Sequence, residues 1–193
     1  MLVRIGSRGS RLALTQAEQA AAALRRPGVE IAFVPITTAG DRDRKRPFGQ
    51  IGERGVFVKE IEEALLAGRI DVAVHSAKDM TSTDTEGLAV GAYLERDDPR
   101  DALVGAERIE AGMRIGTASA RRRAQLLAHE PTLSIEPLRG NVDTRLRKLR
   151  ERGLDAIVLA ACGLDRLGLG GRSSARCRRH TGRYHSRYAC PSG

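Results

Sequence analysis

The stretch Ile70-Asp71-Val72-Ala73-Val74-His75-Ser76-Ala77-Lys78-Asp79 changes abruptly from apolar to polar residues. Its first half is the kind of short apolar run that forms a β-strand buried on both faces. Its second half places the hydroxyl of Ser76, the ammonium of Lys78 and the carboxylate of Asp79 directly after that strand. Ligands of open α/β sheets bind beyond the carboxyl ends of the strands, so this stretch predicts an active site at the edge of a sheet. An ordinary solvated turn is the alternative interpretation.

The same pattern occurs twice in the chain. Arg4-Ile5-Gly6-Ser7 and Arg114-Ile115-Gly116-Thr117 each precede a polar turn and a helix-forming segment, and Asp155-Ala156-Ile157-Val158-Leu159-Ala160 repeats the apolar run of the opening stretch. Each half is predicted to run strand, helix, strand, helix, strand, which is typical of α/β folds with mainly parallel sheets. We therefore expect two similar domains, over residues 1–96 and 97–170, with a ligand-binding cleft between them.

Local signals predict the individual elements. Ser10 is a candidate helix N-cap, and Gly68 stands where the residue after a helix C-cap belongs. Residues 39–55 are charged and rich in glycine, and they predict a mobile surface loop. Strands are expected over residues 3–6, 30–38, 70–74, 88–94, 114–117, 133–138 and 155–160, and helices over residues 11–26, 56–66, 120–128 and 142–152.

Composition argues against several classes of protein. The 193 residues contain no run of about 18 apolar residues, so no transmembrane helix is expected, and the N-terminus lacks a signal-peptide pattern. Of the net charge of +9, residues 171–193 carry +6, whereas residues 1–170 hold 27 Lys and Arg against 24 Asp and Glu. With three Phe, three Tyr and no Trp, the sequence does not predict a nucleic-acid-binding protein.

Arginines concentrate at the predicted strand ends, where Arg8, Arg121, Arg122 and Arg139 stand close to glycine and hydroxyl residues. Guanidinium groups bind carboxylates and phosphates with two parallel hydrogen bonds, and helix N-termini present free N–H groups to anions. The pattern predicts a ligand with several anionic groups. A solvated basic helix face is the interpretation for a second set, Arg147, Lys148, Arg150 and Arg152.

Seven segments of the chain resemble the porphobilinogen deaminase family, also called the hydroxymethylbilane synthase family. They occur in the family's order through almost all of the chain up to Gly170. The segments are Arg4 to Leu14, Phe57-Val58-Lys59-Glu60, Val74-His75-Ser76-Ala77-Lys78-Asp79, Glu95-Arg96-Asp97-Asp98-Pro99-Arg100-Asp101-Ala102, Gly116 to Arg122, Leu138-Arg139-Gly140-Asn141-Val142, and Asp155 to Gly168.

The resemblance implies a transferase of tetrapyrrole and heme biosynthesis. Such an enzyme joins four porphobilinogen units head to tail into hydroxymethylbilane, releases ammonia at each step and uses a dipyrromethane cofactor as primer. The implied fold is a pair of similar, periplasmic-binding-protein-like (type II) domains, and the implied protein is a cytoplasmic monomer that binds neither nucleic acid nor membrane. Each pyrrole ring carries an acetate and a propionate, which agrees with the many arginines.

The resemblance also assigns residues. Asp79 is the catalytic carboxylate, which stabilises the positive charge that develops at the pyrrole nitrogen as ammonia leaves and can transfer protons. No metal ligand is implied. The residues expected to bind cofactor and substrate are Arg8, Ser10, Ser76, Lys78, Thr117, Ser119, Arg121, Arg122, Arg139, Gly140, Arg145 and Arg166.

Some features depart from the family pattern. Gln50 and Arg54 stand where lysines are common in the family's mobile loop, and Met80-Thr81 replaces an apolar residue followed by Pro. The family's third domain, which carries the Cys that bonds the cofactor, is not recognised here. Cys162 is expected to be a packed core thiol rather than that Cys.

Residues 171–193 contain no Val, Ile, Leu, Met or Phe and are predicted to be disordered. Our hypothesis is that this segment is a wrong-frame translation. The chain as written is therefore predicted to carry no covalent dipyrromethane and to show no sustained activity.

Two alternative functions stay open from the residues alone. A non-catalytic, two-domain anion-binding protein would have the same fold, although a binder of carboxylates gains nothing from a carboxylate such as Asp79 among its arginines. The spacing Cys177-x2-His180-x4-His185-x4-Cys190 is similar to that of a zinc knuckle, which would make the C-terminal segment an RNA-binding module.

Overall fold

A computed structural model of the protein describes residues 1–42, 57–80 and 85–177. The chain divides into two units, Met1–Glu95 and Arg96–Gly193, and each contains helices and a β-sheet. Four of the six strand pairings in the described sheets are parallel. The prediction of a mixed α/β fold with mainly parallel sheets is confirmed. Among the described residues, no helix is long and apolar enough to cross a membrane.

The sheet of the first unit has its first strand in the middle. The order is β2-β1-β3, and β1 pairs in parallel with both neighbours. A 3-10 turn over Ala77–Asp79 follows β3. The elements are β1 (Leu2–Arg8), α1 (Arg11–Leu24), β2 (Glu30–Ile36), α2 (Ala39–Arg42), α3 (Lys59–Leu66) and β3 (Val72–Ala73).

The second unit contains the same arrangement with further strands. In the order β6-β5-β7-β4-β8, β5 pairs in parallel with β6 and β7, whereas β4 is antiparallel to both β7 and β8. The elements are β4 (Asp101–Val104), β5 (Arg114–Gly116), α4 (Ala120–His129), β6 (Ser134–Glu136), α5 (Val142–Glu151), β7 (Ala156–Ala160), α6 (Ala161–Arg166) and β8 (Ala175–Cys177).

The sequence repeat corresponds to a repeated set of hydrogen bonds. In the first unit, the N–H of Arg4 donates to Asp71 Oδ2 at 2.8 Å, and the N–H of Asp71 donates back to the Arg4 carbonyl at 2.8 Å. Arg114 and Asp155 form the same pair in the second unit, at 2.7 and 3.0 Å. The aspartate before each apolar run therefore aligns that run with the central strand of its sheet.

The glycine of the sequence repeat is required for the same physical reason in both units. A Cβ on Gly6 would lie 2.3 Å from Ile70 Cδ1, and a Cβ on Gly116 would lie 2.9 Å from Leu138 Cδ2 and from Leu154 Cδ1. Ile70, Leu138 and Leu154 are buried, so they cannot swing into solvent to make room. Core side chains therefore pack directly against the central strand at the point where it approaches its carboxyl end.

Helix caps lie beside these strand ends. Ser10 Oγ accepts from the N–H of Ala13 at 3.3 Å, which confirms Ser10 as the N-cap of α1. Ser119 caps α4 through the N–H of Arg122, and Asn141 caps α5 through an N–H at 2.9 Å. Gly68 follows the C-cap of α3 with φ of 64°, as predicted. The first turns of three helices are thereby anchored where the predicted ligand-binding residues stand.

Several element predictions are wrong. Residues 88–94 form no strand, and Val90, Tyr93 and Leu94 are exposed. The opening stretch contains a strand of two residues, Val72–Ala73, whose side chains are only partly buried, because β3 pairs with β1 along one edge. Of the predicted loop over residues 39–55, residues 39–42 form a helical turn, and residues 43–55 lie outside the described residues.

The expectation of disorder from residue 171 onward is wrong for residues 171–177. A 3-10 turn covers Gly170–Arg172, and β8 pairs with β4, with Ala175 opposite Leu103 and Cys177 opposite Asp101. Pairing at a sheet edge uses backbone N–H and C=O groups, so β8 does not need the aliphatic residues that this segment lacks. Residues 178–193 lie outside the described residues.

Cys162 is not a fully buried core thiol. Its side chain is partly exposed, whereas its neighbours Ala161, Gly163 and Leu164 in α6 are buried.

Candidate active site

Arg8, the last residue of β1, is held by an acidic and an aromatic side chain. Its Nε lies 3.2 and 3.1 Å from the two carboxylate oxygens of Asp41, and its guanidinium lies 4.0 Å from the centre of the Phe57 ring. Burial raises the pKa of Asp41, but hydrogen bonds from Arg8 and from Thr38 Oγ1 outweigh burial and lower it. Arg8 therefore has a defined position beside the carboxyl ends of the strands.

The turn after β3 carries Ser76, Lys78 and Asp79. Ser76 Oγ lies 3.0 Å from Nε2 and 3.1 Å from Oε1 of Gln16 in α1, and the N–H of Asp79 donates to the Ser76 carbonyl at 2.9 Å. The Lys78 side chain is exposed and that of Asp79 is half-buried. The contact with α1 anchors the turn, so the Asp79 carboxylate extends from a fixed backbone.

His75 lies between the strand and this turn. Its Nε2 is buried and has no hydrogen-bond partner among the described residues. Burial lowers the pKa of His75; the negative charges of Glu62 and Asp79 oppose this effect, and the positive charge of Arg8 adds to it. The charges of Arg8 and Asp79 therefore both act on the His75 imidazole, which lies between β3 and the turn that carries Asp79.

The lowered pKa of His75 predicts a pH-dependent stability. An unfolded His binds a proton near pH 6.5, whereas folded His75 does so at lower pH, so acidification through this range favours the unfolded chain. In wild type, the free energy of unfolding is expected to fall by up to about 1.4 kcal/mol per pH unit as pH drops below about 6.5. His75→Gln is expected to remove this component, as measured by urea unfolding across the range. An unchanged pH dependence in the variant would contradict the assignment.

In the second unit, Arg121 and Arg122 meet at a buried carboxylate. Arg122 Nη2 lies 2.8 Å from Asp101 Oδ1, and Arg121 Nη2 lies 3.1 Å from Asp101 Oδ2. The side chains of Asp101 and Arg122 are 1% and 10% exposed, against 43% for Arg121. Arg122 also donates to the Val158 carbonyl in β7 at 3.1 Å. The two predicted ligand-binding arginines therefore differ: one is largely buried, and the other reaches solvent.

The remaining predicted residues of this unit follow β5 and β6. The N–H of Ser119 donates to Thr117 Oγ1 at 3.2 Å. Arg145 Nε donates to the Gly140 carbonyl at 2.7 Å, and Gly140 adopts φ of 124°, a conformation that favours glycine. Lys148 Nζ donates to the Arg139 carbonyl at 3.1 Å. Basic side chains of α5 thus donate hydrogen bonds to carbonyls of the turn after β6.

Arg166, at the end of α6, pairs with Asp97. Its Nη2 lies 2.5 Å from Asp97 Oδ2, its side chain is 19% exposed, and its buried Nε has no hydrogen-bond partner among the described residues. Asp97 belongs to the polar segment at the start of the second unit.

Four residues that contact the predicted site residues were not predicted from the sequence: Gln16, Asp41, Asp97 and Asp101. A signal existed for Asp101, because an acidic residue directly before the apolar run Ala102-Leu103-Val104 is improbable inside a strand unless it is paired. No local signal identified the others, because each contacts a residue at least 33 positions away in the chain.

Other predicted features lie partly or wholly outside the described residues. Gln50, Arg54 and Thr81 lie outside the described residues, as do three of the four ligands of the zinc-knuckle alternative. Across residues 1–42, 57–80 and 85–177, no group of three or more His, Cys, Asp or Glu side chains could hold a metal ion.

A family model described as porphobilinogen deaminase, dipyromethane cofactor binding domain, matches residues 3–184. The chain belongs to the porphobilinogen deaminase family. The match continues past Gly170, where the sequence resemblance was expected to stop, and it includes β8. The family model therefore covers the described sheets of both units.

Curated relatives support the same membership. A porphobilinogen deaminase of Caulobacter sp. (strain K31) is 54% identical over 182 residues, which cover 87% of this chain and 57% of the relative. One of Pelobacter propionicus is 50% identical over 173 residues, which cover 86% of this chain and 56% of the relative. The chain spans about half the length of the curated porphobilinogen deaminases it matches.

Among solved structures, an ancestral arginine-binding protein bound to glutamine matches with a TM-score of 0.40 and 16% identity, covering 86% of this chain and 72% of that protein. A likeness of this size is too weak to support an inference. Neither the anion-binding nor the RNA-binding alternative gains support from these matches.

Proposed function

We propose that the chain forms part of a porphobilinogen deaminase, the transferase that condenses four porphobilinogen units into hydroxymethylbilane and releases ammonia at each step. The observation that carries the proposal is the family match over residues 3–184. The proposed domains cover residues 1–96 and 97–170, have the type II periplasmic-binding-protein-like fold and belong to a cytoplasmic monomer of tetrapyrrole biosynthesis.

Recognition of the substrate rests on its two carboxylates. Porphobilinogen carries an acetate and a propionate, and both units place basic or hydroxyl side chains after parallel strands. In the first unit these are Arg8, Ser10, Ser76 and Lys78, and in the second they are Thr117, Ser119, Arg121, Arg122, Arg139, Arg145 and Arg166. Gly140 lies in the turn after β6, where its carbonyl accepts from Arg145. Guanidinium, ammonium and hydroxyl donors match carboxylate acceptors in charge and geometry.

The same donors fit a dipyrromethane, because its two rings carry four carboxylates. When bound, this group supplies the pyrrole carbon to which the first substrate is joined. Lys78 and Ser76 are proposed to bind carboxylates of the cofactor or the substrate, and so are the arginines around Asp101. None of the described residues is assigned as its covalent attachment site.

Asp79 is proposed to act on the substrate ring. As the protonated aminomethyl group leaves as ammonia, the pyrrole nitrogen donates its electron pair, and positive charge develops at its N–H. A carboxylate within hydrogen-bond reach lowers the energy of this cation. The freed methylene carbon then bonds to an unsubstituted carbon of a second pyrrole, which loses a proton. Asp79 can accept this proton, which balances the one carried away by ammonia.

The direct test measures porphobilinogen turnover. Residues 1–177 are joined to the remaining C-terminal part of the Caulobacter relative, and porphobilinogen consumption is assayed beside hydroxymethylbilane formation. The chimera is expected to form hydroxymethylbilane, whereas the C-terminal part alone is not. In parallel, calorimetry measures whether the 193-residue chain binds porphobilinogen. A folded chimera without turnover, together with a chain that binds no porphobilinogen, would refute the proposal.

A further inference from the structure

We propose that Asp101 is a positioning residue that holds Arg121 and Arg122 in the orientation that binds the carboxylates of a pyrrole ligand. The proposal rests on the proposed function, because it concerns the same site. The sequence assigned no role to Asp101, which only belongs to the segment Glu95 to Ala102 that resembles the family.

Asp101 pairs with both arginines at once. Each carboxylate oxygen of Asp101 accepts from a different arginine, at 2.8 Å from Arg122 and 3.1 Å from Arg121. Arg122 is held a second time by the Val158 carbonyl, and Arg121 Nη1 donates to Gln125 Oε1 at 2.6 Å. Adjacent guanidinium groups repel one another, and a shared carboxylate keeps both on the same side of α4.

Asp101 lies at the ligand-binding edge of the sheet. Asp101 is the first residue of β4 and stands opposite Ala160, the last residue of β7, which runs antiparallel to it. Its carboxylate therefore lies at the carboxyl edge of the parallel strands β5, β6 and β7. This edge is where α/β sheets bind ligands.

The charge of Asp101 is unfavourable to an anionic ligand. A carboxylate inside an anion-binding site repels the ligand, so it must provide a compensating benefit. Two guanidinium groups share one carboxylate here, which leaves one positive charge of this trio uncompensated. Asp101 is 1% exposed, whereas Arg121 is 43% exposed, so the excess positive charge reaches solvent on Arg121. The pairing with Asp101 already fixes the orientation of that side chain. Preorganised donors bind more tightly than mobile ones, because less conformational entropy is lost on binding.

The two effects of Asp101 predict opposite results for Asp101→Asn, which keeps the shape and removes the charge. Loss of repulsion alone would tighten the binding of an anion. Loss of positioning is expected to weaken porphobilinogen binding by the 193-residue chain about tenfold or more, as measured by calorimetry. The matched control is Asp98→Asn. Asp98 lies three residues before Asp101, and the substitution removes the charge of a carboxylate that pairs with Arg100. Affinity in the control is expected to stay within about twofold.

A second measurement needs no variant and covers the case in which Asp101→Asn fails to fold. In the wild-type chain, nitrogen-15 NMR is expected to resolve the guanidinium N–H signals of Arg121 and Arg122 separately, because anchored guanidinium groups rotate slowly. Arg147, which is 67% exposed and has a long surface pairing of 3.4 Å with Glu151, serves as the reference for a weakly held guanidinium group.

The outcomes separate this inference from the proposed function. Equal or tighter binding by a folded Asp101→Asn variant, or averaged signals for both arginines, would overturn the positioning role. Weaker binding in Asp101→Asn alone, or resolved signals, would support it. If the wild-type chain binds no porphobilinogen, the proposed function fails, and the NMR signals alone then decide whether Asp101 positions the two arginines.

Discussion

Replacing Asp79 by Asn is expected to lower porphobilinogen turnover in the chimera with the Caulobacter relative by about 100- to 1,000-fold. The substitution keeps the size and planarity of the side chain and removes its negative charge. The positive charge that develops at the pyrrole nitrogen then loses its stabilising partner, and the released proton loses its acceptor. The 3-10 turn is closed by the backbone N–H of Asp79, so the local structure is expected to survive the substitution.

The matched control is Glu86→Gln, which neutralises an exposed carboxylate seven residues along the chain. Its turnover is expected to equal that of wild type, and thermal melting is expected to show both variants folded. Turnover by Asp79→Asn within tenfold of wild type would remove Asp79 from the mechanism.

Replacing Arg122 by Leu is expected to lower the free energy of unfolding by about 3–5 kcal/mol. The substitution leaves the buried Asp101 carboxylate with one arginine instead of two and leaves the Val158 carbonyl without its side-chain donor. Removing one partner from a buried ion pair costs far more than removing a surface pair, because the remaining charge stays desolvated. Urea unfolding of the 193-residue chain measures the difference.

The control for this prediction is Arg147→Leu. Arg147 is 67% exposed and lies 3.4 Å from Glu151 on the surface of α5, so its loss is expected to change stability by less than about 0.5 kcal/mol. Equal stabilities for the two variants would show that the pairing of Arg122 with Asp101 does not stabilise the fold. Arg121→Leu provides a further comparison, because Arg121 shares the carboxylate from a solvent-exposed position.

Sequence patterns were sufficient to predict those strands and helices whose physical signals lie in neighbouring residues. Strand β1, helices α1, α4 and α5, and strand β7 follow from apolar periodicity, caps and glycines, and their predicted bounds agree with the structure to within two residues at every end. The predicted strand over residues 88–94 failed because apolar residues form a strand only when a neighbouring strand pairs with them. Strand β8 was missed for the opposite reason, since its pairing with β4 depends on backbone groups and not on side-chain character.

The sequence by itself determined that the chain is an α/β protein with a repeated strand-helix unit and that arginines and Asp79 stand after the strands. Periodicity, glycine positions and family motifs are all properties of neighbouring residues. Only the tertiary structure decided how these side chains are engaged, because the ion pairs of Arg8, Arg121 and Arg122 join residues from different elements. Arg8 reaches Asp41 across 33 positions, and Arg122 reaches Asp101 across 21 positions. Which arginine is buried and which reaches solvent depends on packing against β4 and β7, and no single segment contains that information.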